Sequence, residues 1–295
     1  METWSERARA LLARLPIERF QNPTPVVAVV RLAGVIGQVG PLRSGLSLAR
    51  LADSLHRAFS MPRVKCVALA INSPGGSPVQ SALIARRIRQ LAAEKEIPVV
   101  AFAEDVAASG GYWLACAADE IYADANSIIG SIGVIASGFG FSELIQRIGV
   151  ERRIYTAGER KSLLDPFRPE NPDDVARLKA VQAEIHVNFQ SWVRERRGDR
   201  LTASGETIYS GEFWTGQRAL ELGLIDGIDD LRSAMRRRFG DDVKLRTVAG
   251  RESWLRRRLP FRGGEGEGLS LLPANWADDM ISAVEARSWW NRYGL

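Results

Sequence analysis

No apolar run in this 295-residue chain reaches the ~18 residues that a membrane-crossing helix needs. The first run, Pro25 to Ile36, is short and carries Arg31. The N-terminus alternates Trp4, Arg7, Arg9, Leu11, Leu12 and Arg14, so it lacks the apolar core of a signal peptide. Cysteine and histidine are scarce, with two of each. Cys66 falls in an apolar strand and Cys116 in an Ala-rich helix, which suits small buried residues rather than a disulfide framework. Two histidines, neither near a cysteine, form no metal-ligand cluster, and neither metal nor other cofactor is expected. No internal repeat is visible. No base-reading motif accompanies the arginine clusters, which excludes nucleic acid as a partner. A cytoplasmic location is expected, with peripheral contact at the inner face of the membrane as an alternative.

What is present is an ordinary globular composition, 45% apolar and 25% charged, with a net charge of +5. Arginines cluster at Arg86 to Arg89, Arg194 to Arg197, Arg236 to Arg238 and Arg256 to Arg258. The first two clusters read as solvated helix faces. Residues 3 to 15 set Trp4, Ala8, Leu11, Leu12 and Leu15 on one helical face, suited to packing or to a membrane surface. The Gly-rich stretch 263–268 reads as a flexible linker, followed by Trp276, Trp289 and Trp290. The expected organisation is an amphipathic segment over 1–24, a main domain over 25–250, and a linker with a Trp/Arg-rich segment over 251–295.

Within the main domain strand and helix patterns alternate. Val26 to Val30, Val64 to Ile71 and Ile97 to Ala103 read as buried strands. Shorter strands are expected at Ile121 to Ala123 and Arg153 to Thr156. Helices are expected around Leu48 to Phe59, Ser81 to Glu94, Gly110 to Ala118 and Phe141 to Ile148. Asn171-Pro-Asp-Asp174 opens a long helix to about Arg197, with its acids in the first turn. Such alternation implies crossover connections and an α/β fold with a mostly parallel sheet.

Ser109 and Lys161 carry the chemistry. Ser109 stands in Val106-Ala-Ala-Ser-Gly-Gly-Tyr-Trp113, where small neighbours let a carbonyl approach closely. Its place at a helix start directs the Gly110 amide at a developing oxyanion. The same context also suits a mere N-cap. A serine hydroxyl needs a base. A lysine near its ordinary pKa of ~10.4 is almost wholly charged at neutral pH, so Lys161 must lose solvent to serve. Gly75 and Gly76 end a strand in a tight turn and expose backbone N–H groups.

Four motifs, Ile71-Asn-Ser-Pro-Gly-Gly76, Ala108-Ser-Gly-Gly-Tyr112, Gly130-Ser-Ile-Gly-Val134 and Gly158-Glu-Arg-Lys161, stand in this order. Together they resemble the signal peptide peptidase A family of serine peptidases, over roughly residues 26 to 235. The resemblance implies a Clp protease/crotonase-like spiral of strand–strand–helix repeats, closed by a helix within Thr215 to Asp226. It implies a Ser–Lys dyad of Ser109 and Lys161, an oxyanion hole of Gly110 with Gly75 or Gly76 (Gly76 preferred), and Ser131 orienting the lysine. It further implies hydrolysis of apolar peptides, such as signal-peptide remnants or unfolded segments. The single-repeat form, here with no N-terminal transmembrane anchor expected, implies a cyclic homo-oligomer such as an octamer, with serine and lysine from adjacent chains.

Three other readings stay open at this stage. A Ser–His–Asp triad would need His56 or His186, both of which sit in helical patterns without a nearby acid. A crotonase-like enzyme acting on acyl-coenzyme A would leave the Ser–Lys pair unused. A non-catalytic scaffold would bind membranes or peptides through the Trp/Arg-rich ends.

Overall fold

Three Val- and Ala-rich runs become the centre of one sheet: β1 (Val26–Ala33), β2 (Val64–Ser73) and β3 (Val99–Ala108). They run parallel, with Val29 beside Ala68 and Ala68 beside Val100. Both faces are covered, which is why these strands are nearly continuous in apolar residues. The structure is a computed structural model and describes residues 24–37, 45–158, 160–248 and 287–294. Nearly all of the expected 1–24 segment lies outside the described residues, as do Arg256 to Arg258, the 263–268 linker and Trp276.

Five further strands complete the sheet: β4 (Glu120–Ala123), β5 (Ile128–Gly130), β6 (Phe213–Thr215), β7 (Gly227–Ile228) and β8 (Lys244–Thr247). The order is β6-β5-β3-β2-β1-β8, with β4 pairing β3 and β7. All pairs are parallel except β5 with β6. This is the expected α/β architecture with a mostly parallel sheet. Strand β3 splits its outer edge, pairing β4 through Val100 to Ala103 and β5 through Val106 to Ala108.

Side-chain alternation along the strands separates two cores. Ala28, Val30 and Leu32 face helices α1 (Leu48–Phe59) and α2 (Pro78–Lys95), packing with Leu55, Phe59, Ile84 and Ile88. Val27, Val29, Ala68 and Val100 face the other way, toward Ala234 and Met235. Further helices among the described residues are α3 (Gly110–Ala115), α4 (Ser142–Arg147), α5 (Pro172–Arg197), α6 (Gly205–Ile208), α7 (Gly216–Glu221) and α8 (Leu231–Phe239). The start of α5 follows the expected signals: Asn171 accepts the Asp173 N–H at 2.9 Å, Pro172 takes the first turn, and two aspartates follow.

Two expectations are corrected. Arg153 to Thr156 is not a strand; it is exposed chain without regular structure. A strand needs a neighbouring edge for its backbone groups, and among the described residues none pairs with this segment. It belongs to a lobe over residues 134–170, held by the tilted ring contacts of Phe139 and Phe167 with Phe141 and by Arg152 against Asp165. The second correction concerns the arginine clusters. Arg89 and Arg196 reach Asp119, and Arg197 is buried. Their guanidinium groups satisfy carbonyls and two carboxylates, Asp119 and Asp226, at the ends of other elements, which consecutive arginines in a sequence do not reveal.

Candidate active site

The carboxyl ends of β2, β3 and β5 converge, the usual location of sites on open parallel sheets. Beyond β2 comes the turn Pro74-Gly75-Gly76; beyond β3, Ser109; beyond β5, Ser131. The register explains the meeting. Ser73 lies beside Ala107, and Ala108 beside Gly130. The Ser109 N–H donates to the Gly130 carbonyl at 2.8 Å.

Ser109 turns the chain from β3 into α3 with φ 51° and ψ −121°. A left-handed φ on a residue with a side chain costs on the order of 1–3 kcal/mol and persists only where neighbours enforce it. The side chain is half-buried, and its hydroxyl has no hydrogen-bond partner among the described residues. A strained serine on a strand-to-helix turn, with its hydroxyl unoccupied, is a geometry used by hydrolytic nucleophiles.

Two backbone donors face the same space. Gly110 opens α3, so its N–H has no helical acceptor, and none is recorded among the described residues. The Gly75 N–H points back to the Ser73 hydroxyl at 3.3 Å, while that hydroxyl donates to the Gly34 carbonyl at 2.7 Å. The Gly76 N–H has no acceptor among the described residues. Gly75 must be glycine: at φ 105°, a Cβ there would stand 2.7 Å from Ser109 Cβ and 3.0 Å from its Oγ.

A cavity of about 60 Å³ opens over this group. Gly76, Ser109 and Gly110 line its polar side. Trp113, Ile185, Phe189, Val134 and Ile135 make its apolar walls, together with Trp289. Trp113 stacks on Phe189 at 4.6 Å between centroids. Trp113 and Val134 lie within the quoted motifs, whereas Ile185 and Phe189 had not been expected here, nor had Trp289 been placed at the site. The spacing of Ile185, Phe189 and Val193 on α5 could have marked an inward stripe, whereas nothing local pointed to Trp289.

Helix α3 is anchored behind the site. The Tyr112 hydroxyl donates to the Leu224 carbonyl at 2.7 Å, and Trp192 Nε1 donates to the Trp113 carbonyl at 3.0 Å. Arg196 Nε caps the Cys116 carbonyl at 2.9 Å. Arg197 donates to the Gly223 carbonyl and, at 2.7 Å, to Asp226. Burial pushes the Tyr112 hydroxyl above its ordinary range and the Cys116 thiol up to about 12. Burial likewise pushes Cys66 up to about 12, so both cysteines stay as inert thiols.

Ser109, Gly110, Gly76 and Ser131 are therefore brought together. Ser131 also has a left-handed φ of 52°, and its N–H donates to the Glu212 carbonyl at 2.6 Å. Lys161 is not part of this group. It is exposed in the 134–170 lobe, and among the described residues no hydrogen bond or ion pair links its side chain to Ser109 or Ser131. Glu159 of the same motif lies outside the described residues. His186 Nε2 lies 3.1 Å from the Ile132 carbonyl, and Gln190 flanks its ring. His56 is exposed on α1. Neither histidine hydrogen-bonds Ser109 among the described residues, so the triad has no geometric support.

The sequence profile described as Peptidase family S49 matches residues 92–244, a little over half of the chain. A Brucella abortus protein named Na(+)/H(+) antiporter NhaA is 49% identical over 97% of this chain and 39% of its own length. The chloroplastic serine protease SPPA of Arabidopsis thaliana is 31% identical over 71% of this chain and 31% of its own length. The chain thus spans between about a third and two fifths of these relatives. A solved structure of 1510-N membrane-bound stomatin-specific protease aligns with 77% of this chain and 99% of its own, at 17% identity and a TM-score of 0.48.

Proposed function

The chain belongs to peptidase family S49, and from that premise we propose that it is a serine endopeptidase working through a Ser109–Lys161 dyad. One observation carries the reading: among the described residues, a serine hydroxyl without a partner, held in a strained turn, beside two backbone N–H groups without acceptors. Ser109 Oγ attacks the substrate carbonyl and its proton passes to the neutral Lys161 amine. The Gly110 and Gly76 N–H groups receive the oxyanion; the occupied N–H of Gly75 favours Gly76 as the second donor. The tetrahedral intermediate collapses, the amine leaves with the proton from Lys161, and an acyl-serine remains. Water, deprotonated by Lys161, releases the acid. Ser131 accepts or donates a hydrogen bond to the lysine and orients it.

Lys161 comes from a neighbouring copy in a cyclic homo-oligomer, for which an octamer is the working stoichiometry. The exposure of Lys161 supports this. So does the lobe that bears it, where Phe139 is 81%, Ile148 64% and Tyr155 90% exposed. Covering such a surface removes apolar area from water and desolvates the amine in the same act. The apolar walls of the cavity support apolar peptides as substrates, including signal-peptide remnants or unfolded segments, met in the cytoplasm or at the inner face of the membrane. Among the described residues no helix is long and apolar enough to cross a membrane. The antiporter name of the Brucella relative is not carried over, because the chain spans under half of that protein.

The test is hydrolysis of a panel of apolar peptides by the wild type and by Ser109→Ala. Turnover by the wild type that disappears in the variant, with the fold retained, is expected. Equal turnover by the two would remove Ser109 from the mechanism.

A further inference from the structure

The wall of the active-site cavity contributed by Trp289 comes from the far end of the chain. Residues 287–291 are helical, and Trp289, Trp290 and Tyr293 are half-buried. Trp289 lines the same 60 Å³ space as Ser109, Gly76 and Gly110. Tyr293 meets Phe213 edge-on, with centroids 5.2 Å apart. Phe213 belongs to β6 and pairs with Gly130, next to Ser131. The Arg292 guanidinium lies 5.0 Å over the Trp289 ring. The segment therefore has two aromatic footholds, one in the cavity and one on the sheet edge beside it.

Both footholds are shallow. Phe213 remains 47% exposed beneath Tyr293. A core element would be buried, whereas a shallow aromatic contact can be exchanged for another apolar group. The conformation matters too. A peptidase holds its substrate extended, with the backbone free to pair. A helical turn pairs its own backbone and offers no scissile bond to Ser109.

We propose that the C-terminal segment 287–294 is an autoinhibitory plug, in which Trp289 occupies the place of a substrate's apolar side chain and competing apolar peptides displace it. The inference rests on the peptidase reading above and adds a regulatory state to it. The plug lowers apparent substrate affinity by the fraction of molecules in which the site is open. A segment docked about ten times in eleven weakens apparent binding by about tenfold.

The experiment uses the full chain and separates plug from peptidase. A fluorescent apolar peptide is titrated into Ser109→Ala, Ser109→Ala/Trp289→Ala and Ser109→Ala/Tyr293→Ala, so that binding is read without hydrolysis. The plug predicts an apparent Kd lower by about tenfold with Trp289→Ala, and a shift in the same direction with Tyr293→Ala. Tyr293 anchors the segment outside the cavity, so its effect does not come from altering a cavity wall. With Ser109 intact, the same substitutions should raise kcat/KM on that peptide by a similar factor. Equal or weaker peptide binding by both variants would overturn the proposal. So would release of a C-terminal fragment when the wild type is incubated alone, because the segment would then be a substrate. If no form hydrolyses the peptide, the peptidase reading fails, and the binding arm still decides whether the segment occupies the site.

Discussion

Gly75→Ala tests the close packing around the proposed nucleophile. The added Cβ would stand 2.7 Å from Ser109 Cβ, 2.9 Å from the Gly110 nitrogen and 3.0 Å from Ser109 Oγ. Carbon atoms settle at about 3.5–4.0 Å, so Ser109 or the Gly75 turn must yield by roughly 1 Å. Two of the three crowded atoms belong to the proposed nucleophile and one to an oxyanion donor. A displacement of about 1 Å in reacting groups costs on the order of 10²-fold in rate. The φ of 105° at Gly75 adds backbone strain of about 1–3 kcal/mol for a residue with a Cβ. For a domain of this size that lowers Tm by about 2–4 °C per kcal/mol. The measurements are kcat/KM on an apolar peptide, the rate at which a fluorophosphonate labels Ser109, and Tm. Gly240→Ala is the control, since φ there is 89° as well but a Cβ has nothing within 4 Å. We expect Gly75→Ala to lose about 10²-fold in both rates while still unfolding cooperatively. Rates within about threefold of the wild type would refute the placement of this turn against the nucleophile.

Two further predictions concern assembly and support. Co-expressed Ser109→Ala and Lys161→Ala chains, each inactive alone, should recover about one quarter of the sites in randomly mixed oligomers, because a head-to-tail interface joins an intact serine to an intact lysine at that frequency. No recovery in verified mixed oligomers would place both residues of each dyad in one chain. Arg197→Ala removes one of the two arginines beside Asp226, leaving Arg200 at 3.6 Å, and two hydrogen bonds from the Gly223 carbonyl behind α3. Losing the hydrogen bonds of this buried charged group costs about 1.5–3 kcal/mol, which urea unfolding should register. A loss below about 1 kcal/mol would show that water or rearrangement replaces the network.

The local patterns of the chain announced much of the fold. Apolar runs covered on both faces marked β1, β2 and β3, and the Asn-Pro-Asp-Asp cap marked the start of α5. The glycines around Ser109 announced a tight turn, because only small residues permit such approach. These are signals of period, sterics and capping, and they act within a few residues. Other features depended on contacts between distant segments. Ser73 and Gly75 show this: one hydroxyl occupies the Gly75 N–H and leaves that of Gly76 open, although the two glycines are equivalent in sequence. Arg197 looked like a solvated face until α3 and the 223–226 turn closed around it. Arg153 to Thr156 had strand-forming residues but gained no neighbouring edge. Trp289 reached the cavity from far along the sequence, well beyond Phe189, its nearest neighbour in sequence there. A hydrogen bond, a sheet edge and a cavity each require two partners, and a linear pattern specifies what one partner can do but not which distant group will meet it.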